Sequence, residues 1–291
     1  MSIEVNGLSH SYKQGTPFEK QVLFDISFKI EDNDFVGLIG PTQAGKTTLA
    51  QFFNALIIPR QGRVVVNGYD TADGKADLVT LRHKVGYVFQ NPDYQLFAPT
   101  VGEDIAFGPL NQRLSKAEVD RRVREAMILV GLDYDIFFKR DIFALSGGQK
   151  RRAAIAGVLA CQPEILILDD VTAGLDPRGR DEILAVIEEL HREKGLTIVF
   201  ISNSMEEVAR LAKRIIVMKE GKIVMDGPTR DVFCQAGKLR EIGLELPEIM
   251  DINDRLKELG FKLPPSVLNL EEAVESITTS LAERQVKDRW S

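Results

Sequence analysis

The sequence predicts an α/β fold with a mainly parallel sheet and a small helical extension at the C-terminal end. Three observations carry that prediction. Short apolar, β-rich runs alternate with segments of helical period over roughly the first 230 residues, the order that places helices against a parallel sheet. The run 165–168 is short, aliphatic and bounded by acids, as suits a strand buried on both faces. After about residue 235 no further strand pattern appears, and amphipathic helical segments take over.

Taken in order, residues 22–30 and 35–39 read as strands, and 46–55 follows a Gly-rich turn as a helix. Residues 62–67 and 85–88 are strands. The helix 115–130 opens on Ser-Lys-Ala-Glu, the spacing of a capping box. Helices follow at 146–160 and 179–193, with strands at 165–168 and 197–201. Strands 214–219 and 222–225 flank Glu220-Gly221, a hairpin turn signal. Gly227-Pro228 then punctuates the chain, and Leu263-Pro264-Pro265 separates helices at 248–259 and 270–284. The expected division is a main domain over 1–234 and a helical extension over 235–291.

Composition excludes several classes. The longest apolar or small run is 153–161, well short of the ~20 residues a membrane-spanning helix needs. The start lacks the basic-then-apolar form of a signal peptide. Cys161 and Cys234 form neither zinc spacing nor a disulfide framework, so a cytosolic compartment is expected. Lys and Arg number 37 against 43 Asp and Glu, and the resulting acidic balance argues against nucleic acid as a partner. Histidine is scarce: His10, His83 and His191 are the only three.

The strongest motif is Gly40-Pro41-Thr42-Gln43-Ala44-Gly45-Lys46-Thr47, which matches G-x-x-x-x-G-K-[ST], the P-loop. Gly40 and Gly45 permit turns that aim backbone N–H groups at phosphate oxygens. Lys46 supplies a cation to the β- and γ-phosphates, and Thr47 a hydroxyl to Mg²⁺. The helix that follows, including Thr48, presents its N-terminus to the anion. A second element, Ile165-Leu166-Ile167-Leu168-Asp169-Asp170, is an aliphatic strand ending in acid. This is the Walker-B arrangement, whose Asp169 would hold Mg²⁺.

Three more stretches narrow the family. Leu145-Ser146-Gly147-Gly148-Gln149 opens a helix, Gln90 ends the strand before Asn91-Pro92, and Ala173-Gly174-Leu175-Asp176-Pro177 follows the acidic strand. Together with the P-loop they resemble the ATP-binding cassette (ABC) ATPases over about residues 3–230. That resemblance implies a RecA-like, mostly parallel core, an N-terminal antiparallel β subdomain and a helical signature subdomain. It also implies that two cassettes pack head to tail. The signature of each, here Ser146, Gly147, Gly148 and Gln149, then closes over the γ-phosphate in the other's P-loop. Tyr12 lies where the family stacks an aromatic on adenine, and Gln90 where it places the glutamine that faces metal and reacting water. No Asn-Lys-x-Asp stretch is present to read guanine, so ATP with Mg²⁺ is expected.

The stretches Phe89–Phe97, Glu103–Pro109 and Ser11–Pro17 resemble, more narrowly, the ATPase subunits of energy-coupling factor (ECF) importers of vitamins and metal ions. The helical tail, with Leu246-Pro247-Glu248 and Gly260–Pro264, is similar to that subfamily's dimerisation extension. The resemblance implies a second ATPase subunit, a membrane-embedded coupling subunit docking near Gln90, Asp93 and Glu103, and a substrate-binding membrane subunit. It places the chain peripherally on the cytoplasmic face of the membrane. Tyr94 stands where the subfamily often has a second acid.

Two departures bear on mechanism. The catalytic position after the Walker-B Asp holds Asp170 rather than Glu. Asn203 follows strand 197–201 where the family has a switch histidine, and none of the three histidines lies there. An amide can hydrogen-bond to a phosphate but cannot carry a proton. The expectation is a site that binds ATP and hydrolyses it slowly, in a heterodimer rather than a homodimer. The alternatives are a nucleotide-dependent structural subunit and the cassette of another ABC transporter type.

Overall fold

In the computed structural model the described residues are 2–264 and 266–288; Pro265 of the expected break lies outside them. Among the described residues ten strands form two sheets. The first is antiparallel, in the order β2 (Lys20–Ile30), β1 (Ile3–Tyr12), β4 (Gln61–Val66), β5 (Tyr69–Asp70). The second runs β10 (Lys222–Pro228), β9 (Arg214–Lys219), β3 (Phe35–Ile39), β8 (Thr197–Ile201), β7 (Ile165–Asp169), β6 (Val85–Val88). All its neighbours pair in parallel except the edge hairpin β9–β10. The α/β expectation therefore holds, and every residue of β3, β6, β7 and β8 is buried, as strands covered on both faces require.

Parallelism decides where the chemistry gathers. The chain leaves β3, β6, β7 and β8 at the same edge, the carboxyl end where open α/β sheets bind ligands. That edge receives the loop Gly40–Gly45, Gln90, Asp170 and Asn203. The strand β8 lies between β3 and β7, so the phosphate loop and the acidic strand flank the Asn203 turn.

Helix bounds differ from the sequence reading for local reasons. The helix Lys46–Phe53 stops before residue 55 because Asn54 leaves helical geometry and Ala55 is left-handed (φ 55°). The helix Pro177–Lys194 starts before residue 179, since Asp176 caps it through Gly179 N at 2.7 Å and Pro177 suits its first turn. Ser115 caps Lys116–Leu129 through Glu118 N. Glu118's carboxylate engages Arg121 and Arg122 rather than closing the expected box. The helix Val101–Asn111 has no clear sequence signature, because Gly102, Gly108 and Pro109 depress its propensity. Gly102 and Gly108 serve packing: a Cβ there would meet Phe138 at 2.4 Å and Cys161 Sγ at 2.2 Å.

The extension shares the main core. Leu239, Leu244, Leu246, Met250 and Leu268 are buried in the cluster that holds Phe200, Ile215 and Phe233. Its helices Glu248–Glu258 and Leu270–Asp288 are tied back by Glu248 N donating to Glu206 (3.3 Å) and by the Arg230–Glu272 pair (2.7 Å). Among the described residues no helix is long and apolar enough to cross a membrane.

Candidate active site

The phosphate loop is built on backbone that only glycine tolerates. Gly40 has φ 154°, and a Cβ there would sit 2.2 Å from Met218 O of β9. Gly45 has φ 99°, and its Cβ would press on Leu23 at 2.9 Å. Gly45 is also the N-cap of Lys46–Phe53, with no side chain capping the helix. The first amides of that helix thus lack an intrahelical acceptor and face an anion-ready N-terminus.

Lys46 is buried, and its Nζ donates to Gly40 O (2.6 Å) and Pro41 O (3.1 Å). Burial lowers its pKa, with Asp169 and Asp170 pulling the other way. A cleft of about 780 Å³ opens beside the loop, lined by Tyr12, Gln43 to Thr48 and the hairpin residues Lys219 to Lys222 among others. Tyr12 Oη and Thr48 Oγ1 are 3.1 Å apart across it. The β9–β10 turn is fastened to the loop, since Gly221 N donates to Ala44 O (3.1 Å).

The acidic side lies at the end of β7. Asp169 is buried and accepts from Tyr87 Oη at 2.9 Å. Burial raises its pKa, opposed by the hydroxyls of Tyr87 and Thr47. Burial beside Asp169 likewise pushes the Tyr87 phenol far up, so it remains a donor. Asp170 has left-handed backbone (φ 50°), uncommon for a non-glycine residue. Its Oδ2 accepts from both Gln90 Nε2 (3.0 Å) and Asn203 Nδ2 (3.2 Å). All three residues expected to be catalytic therefore meet at one oxygen.

The oxygen donors suit Mg²⁺. Thr47 hydroxyl and Asp169 carboxylate are neighbours, and among the described residues no cluster of three or more His, Cys, Asp or Glu forms. Such a partial shell fits an ion that takes one or two carboxylates and completes its octahedron largely with phosphate and water. Gln90, also expected to face metal, bonds to Asp170 instead of Asp169.

The signature stands apart. Ser146 and Gln149 form a reciprocal capping box at the start of the helix Gly147–Leu159. None of Ser146, Gly147, Gly148 or Gln149 lines the P-loop cleft. Of the two acids expected to receive a coupling helix, Asp93 pairs with Lys150 at 2.7 Å, and Glu103 is exposed in the first turn of Val101–Asn111. His10 packs edge-on against Tyr12, and His191 bonds Leu196 O and Lys213, so neither approaches the Asn203 turn through its bonds.

Several residues of the site escape sequence reasoning. Tyr87 reads as core within a short apolar strand; the only hint is one hydroxyl in an otherwise aliphatic run. Arg151 reads as part of a basic cluster, yet it is buried and its Nη1 donates to Phe89 O (2.9 Å), joining the signature helix to the Gln90 turn.

Known proteins resemble this chain in sequence and in overall fold. The family model described as ABC transporter matches residues 23–173. The energy-coupling factor transporter ATP-binding protein EcfA2 of Clostridioides difficile (strain 630) is 49% identical over 278 residues, covering 95% of this chain and 96% of that protein. This chain belongs to the ABC transporter ATP-binding family, in its energy-coupling factor group. The cassette is thus an ATPase of the transport-coupled kind. Among solved structures, cbiO1 of Clostridium perfringens, described as part of the ABC transporter complex cbiONQ, aligns with TM-score 0.70 at 35% identity. It covers 85% of this chain and 96% of its own. The cassette MJ0796, captured as a dimer in a post-hydrolysis state with ADP and Pi, aligns with TM-score 0.72 at 27% identity over 78% of this chain and 99% of its own.

Proposed function

We propose that this cassette binds ATP and Mg²⁺ at its own P-loop, hydrolyses ATP slowly there, and serves as one half of an ATPase heterodimer that energises an importer of vitamins or other micronutrients. The observation that carries the reading is the single Asp170 oxygen held by the Gln90 and Asn203 amides, beside the Thr47–Asp169 pair. Tyr12 stacks on adenine. Residues Gly40 to Thr48 cradle the phosphates, and Lys46 turns from its loop carbonyls to the β- and γ-phosphates. Thr47, Asp169 and Gln90 hold Mg²⁺, which when bound neutralises charge on the phosphate oxygens. Asp170 orients the attacking water, and Asn203 donates an amide hydrogen bond to the γ-phosphate without offering a proton.

The signature Ser146–Gln149 serves the ATP of the second cassette, which accords with its position off the P-loop cleft. The name of the C. difficile relative, EcfA2, and the dimeric state of MJ0796 support a two-cassette assembly. Residues 235–291 act as the dimerisation element of that assembly, and 1–234 as the ATP-binding domain. An arginine-bearing helix of a membrane-embedded coupling subunit docks near Gln90, Asp93 and Glu103, and a substrate-binding membrane subunit completes the complex on the cytoplasmic face. Because Asp93 already pairs with Lys150 (2.7 Å), the incoming arginine shares or displaces that lysine.

The Asp170 and Asn203 departures also favour a second reading, a structural subunit that binds nucleotide without turnover. Two measurements test the proposal. Affinity purification from membranes should recover a second ATPase and membrane subunits, and recovery of neither contradicts the transport role. Lys46→Ala should abolish ATP binding; retained affinity contradicts the P-loop assignment.

A further inference from the structure

One buried carboxylate near this site is not among the residues assigned to phosphate, metal or water. Glu207, in the first turn of the helix Met205–Leu211, is 4% exposed. Its Oε2 accepts from Thr172 Oγ1 at 2.8 Å and from Ser202 Oγ at 2.8 Å. Its Oε1 faces Arg180 Nε at 3.5 Å. Ser202 Oγ in turn accepts from Ser204 N at 3.0 Å.

The two hydroxyls belong to different loops. Thr172 lies two residues beyond Asp170, and Ser202 immediately precedes Asn203. The parallel ladder between β7 and β8 ends at the pair Asp169–Ile201, with Asp170 N donating to Ile201 O (2.8 Å) just past it. Beyond that point the sheet no longer holds the loops together, and the Glu207 carboxylate does. A buried carboxylate carries a large desolvation cost and persists where it is paired and hydrogen-bonded. Asp170 is itself in left-handed backbone, a conformation that persists only when its surroundings over-determine it.

We propose that Glu207 is a positioning residue for the γ-phosphate end of the site. By holding Thr172 and Ser202 on one oxygen it sets the spacing of Asp170 and Asn203, whose side chains meet at 3.2 Å. The inference rests on the reading of the cleft as an ATP site. Its consequence is selective: the geometry that distinguishes a triphosphate from a diphosphate depends on Glu207, and the P-loop grip on the α- and β-phosphates does not.

The test is calorimetric titration of the full chain with Mg²⁺ and either a non-hydrolysable imido analogue of ATP or ADP. In Glu207→Ala both hydroxyls lose their acceptor, and the triphosphate-over-diphosphate affinity ratio falls about 10-fold, the worth of a lost hydrogen bond to a charged group. ADP affinity stays within about 2-fold of wild type, since the loop Gly40–Thr48 is unaltered. Glu207→Gln keeps one oxygen able to accept both hydroxyls and restores most of the ratio, a rescue that a general loss of stability would not give. An unchanged ratio in folded Glu207→Ala overturns the proposal. If Glu207→Ala does not fold, Ser202→Ala and Thr172→Val each lower the ratio about 3-fold, half of the same effect on a free-energy scale; unchanged ratios in both overturn it. A wild-type chain that binds neither nucleotide refutes the ATP reading itself, a result distinct from a wild type that binds and a variant that keeps its ratio.

Discussion

Replacing Asp170 by Glu isolates the cause assigned to slow hydrolysis. On the proposed reading Asp170 aligns the attacking water with a carboxylate one methylene shorter than that of glutamate. Its Oδ2 is also shared between Gln90 (3.0 Å) and Asn203 (3.2 Å). Lengthening the side chain by one methylene moves the carboxylate by about 1 Å, and misplacement on that scale costs on the order of 100-fold in rate. Part of the gain is offset because the longer side chain must re-form two hydrogen bonds from strained backbone at φ 50°. The expected increase in hydrolysis is therefore about 10- to 100-fold. The assay is single-turnover release of phosphate from labelled ATP with the assembled cassettes in excess, alongside the dissociation constant of ATP. Affinity should change by less than about 3-fold, since the P-loop contacts are untouched. A rate that is unchanged, or that falls, refutes the argument that side-chain length limits this site.

Three further outcomes follow from the same geometry. Gly40→Ala forces a Cβ to 2.2 Å from Met218 O at φ 154°, so chemical denaturation should show a loss of about 1–3 kcal/mol together with weakened nucleotide binding. A stable variant with normal affinity would show that the loop is not held against β9. Asp169→Asn tests burial of the acid. Because burial raises the native Asp169 pKa above its ordinary 3.8, the native state keeps the proton after the unfolded state has lost it. That contribution to stability is present below the ordinary value and lost as pH rises through the raised one. The Asn variant should therefore melt higher than wild type at pH 7, converge with it in acid, and lose the Mg²⁺ dependence of ATP binding; a lower melting temperature at pH 7 contradicts this. Asn203→His places an imidazole beside Asp170, whose charge raises the imidazole pKa above about 6.5. Hydrolysis should then fall as pH climbs through neutrality, in contrast to a flat wild-type profile.

Much of the site was legible because its chemistry is local in sequence. The P-loop, the acidic strand and the signature each occupy a handful of consecutive residues whose spacing encodes a turn or a helix start. The parallel sheet was legible from aliphatic runs such as Ile165–Leu168, although strand order was not, since pairing partners leave no local mark. What escaped is tertiary. Helix Val101–Asn111 contains two glycines that close packing requires, and by propensity they argue against a helix. Tyr87 acquires its meaning only because β6 lies beside β7, which brings its hydroxyl to Asp169. Glu207 looks like one acid of an ordinary helix first turn, and its partners Thr172 and Ser202 come from other strands' loops. The scarcity of histidine, by contrast, was a compositional fact with a direct structural reading. His10 and His191 are engaged elsewhere, and an amide stands at the turn beside Asp170.

On the proposed reading this cassette's own ATP site is the slower of two in its assembly. The most direct measurement is single-turnover ATP hydrolysis by the assembled heterodimer, comparing Asp170→Asn in this chain with the corresponding carboxylate-to-amide change in the other ATPase. The change here should leave most of the turnover, and the change in the other subunit should abolish it. Loss of turnover from Asp170→Asn, with the other subunit's change tolerated, would show that this site is the faster one.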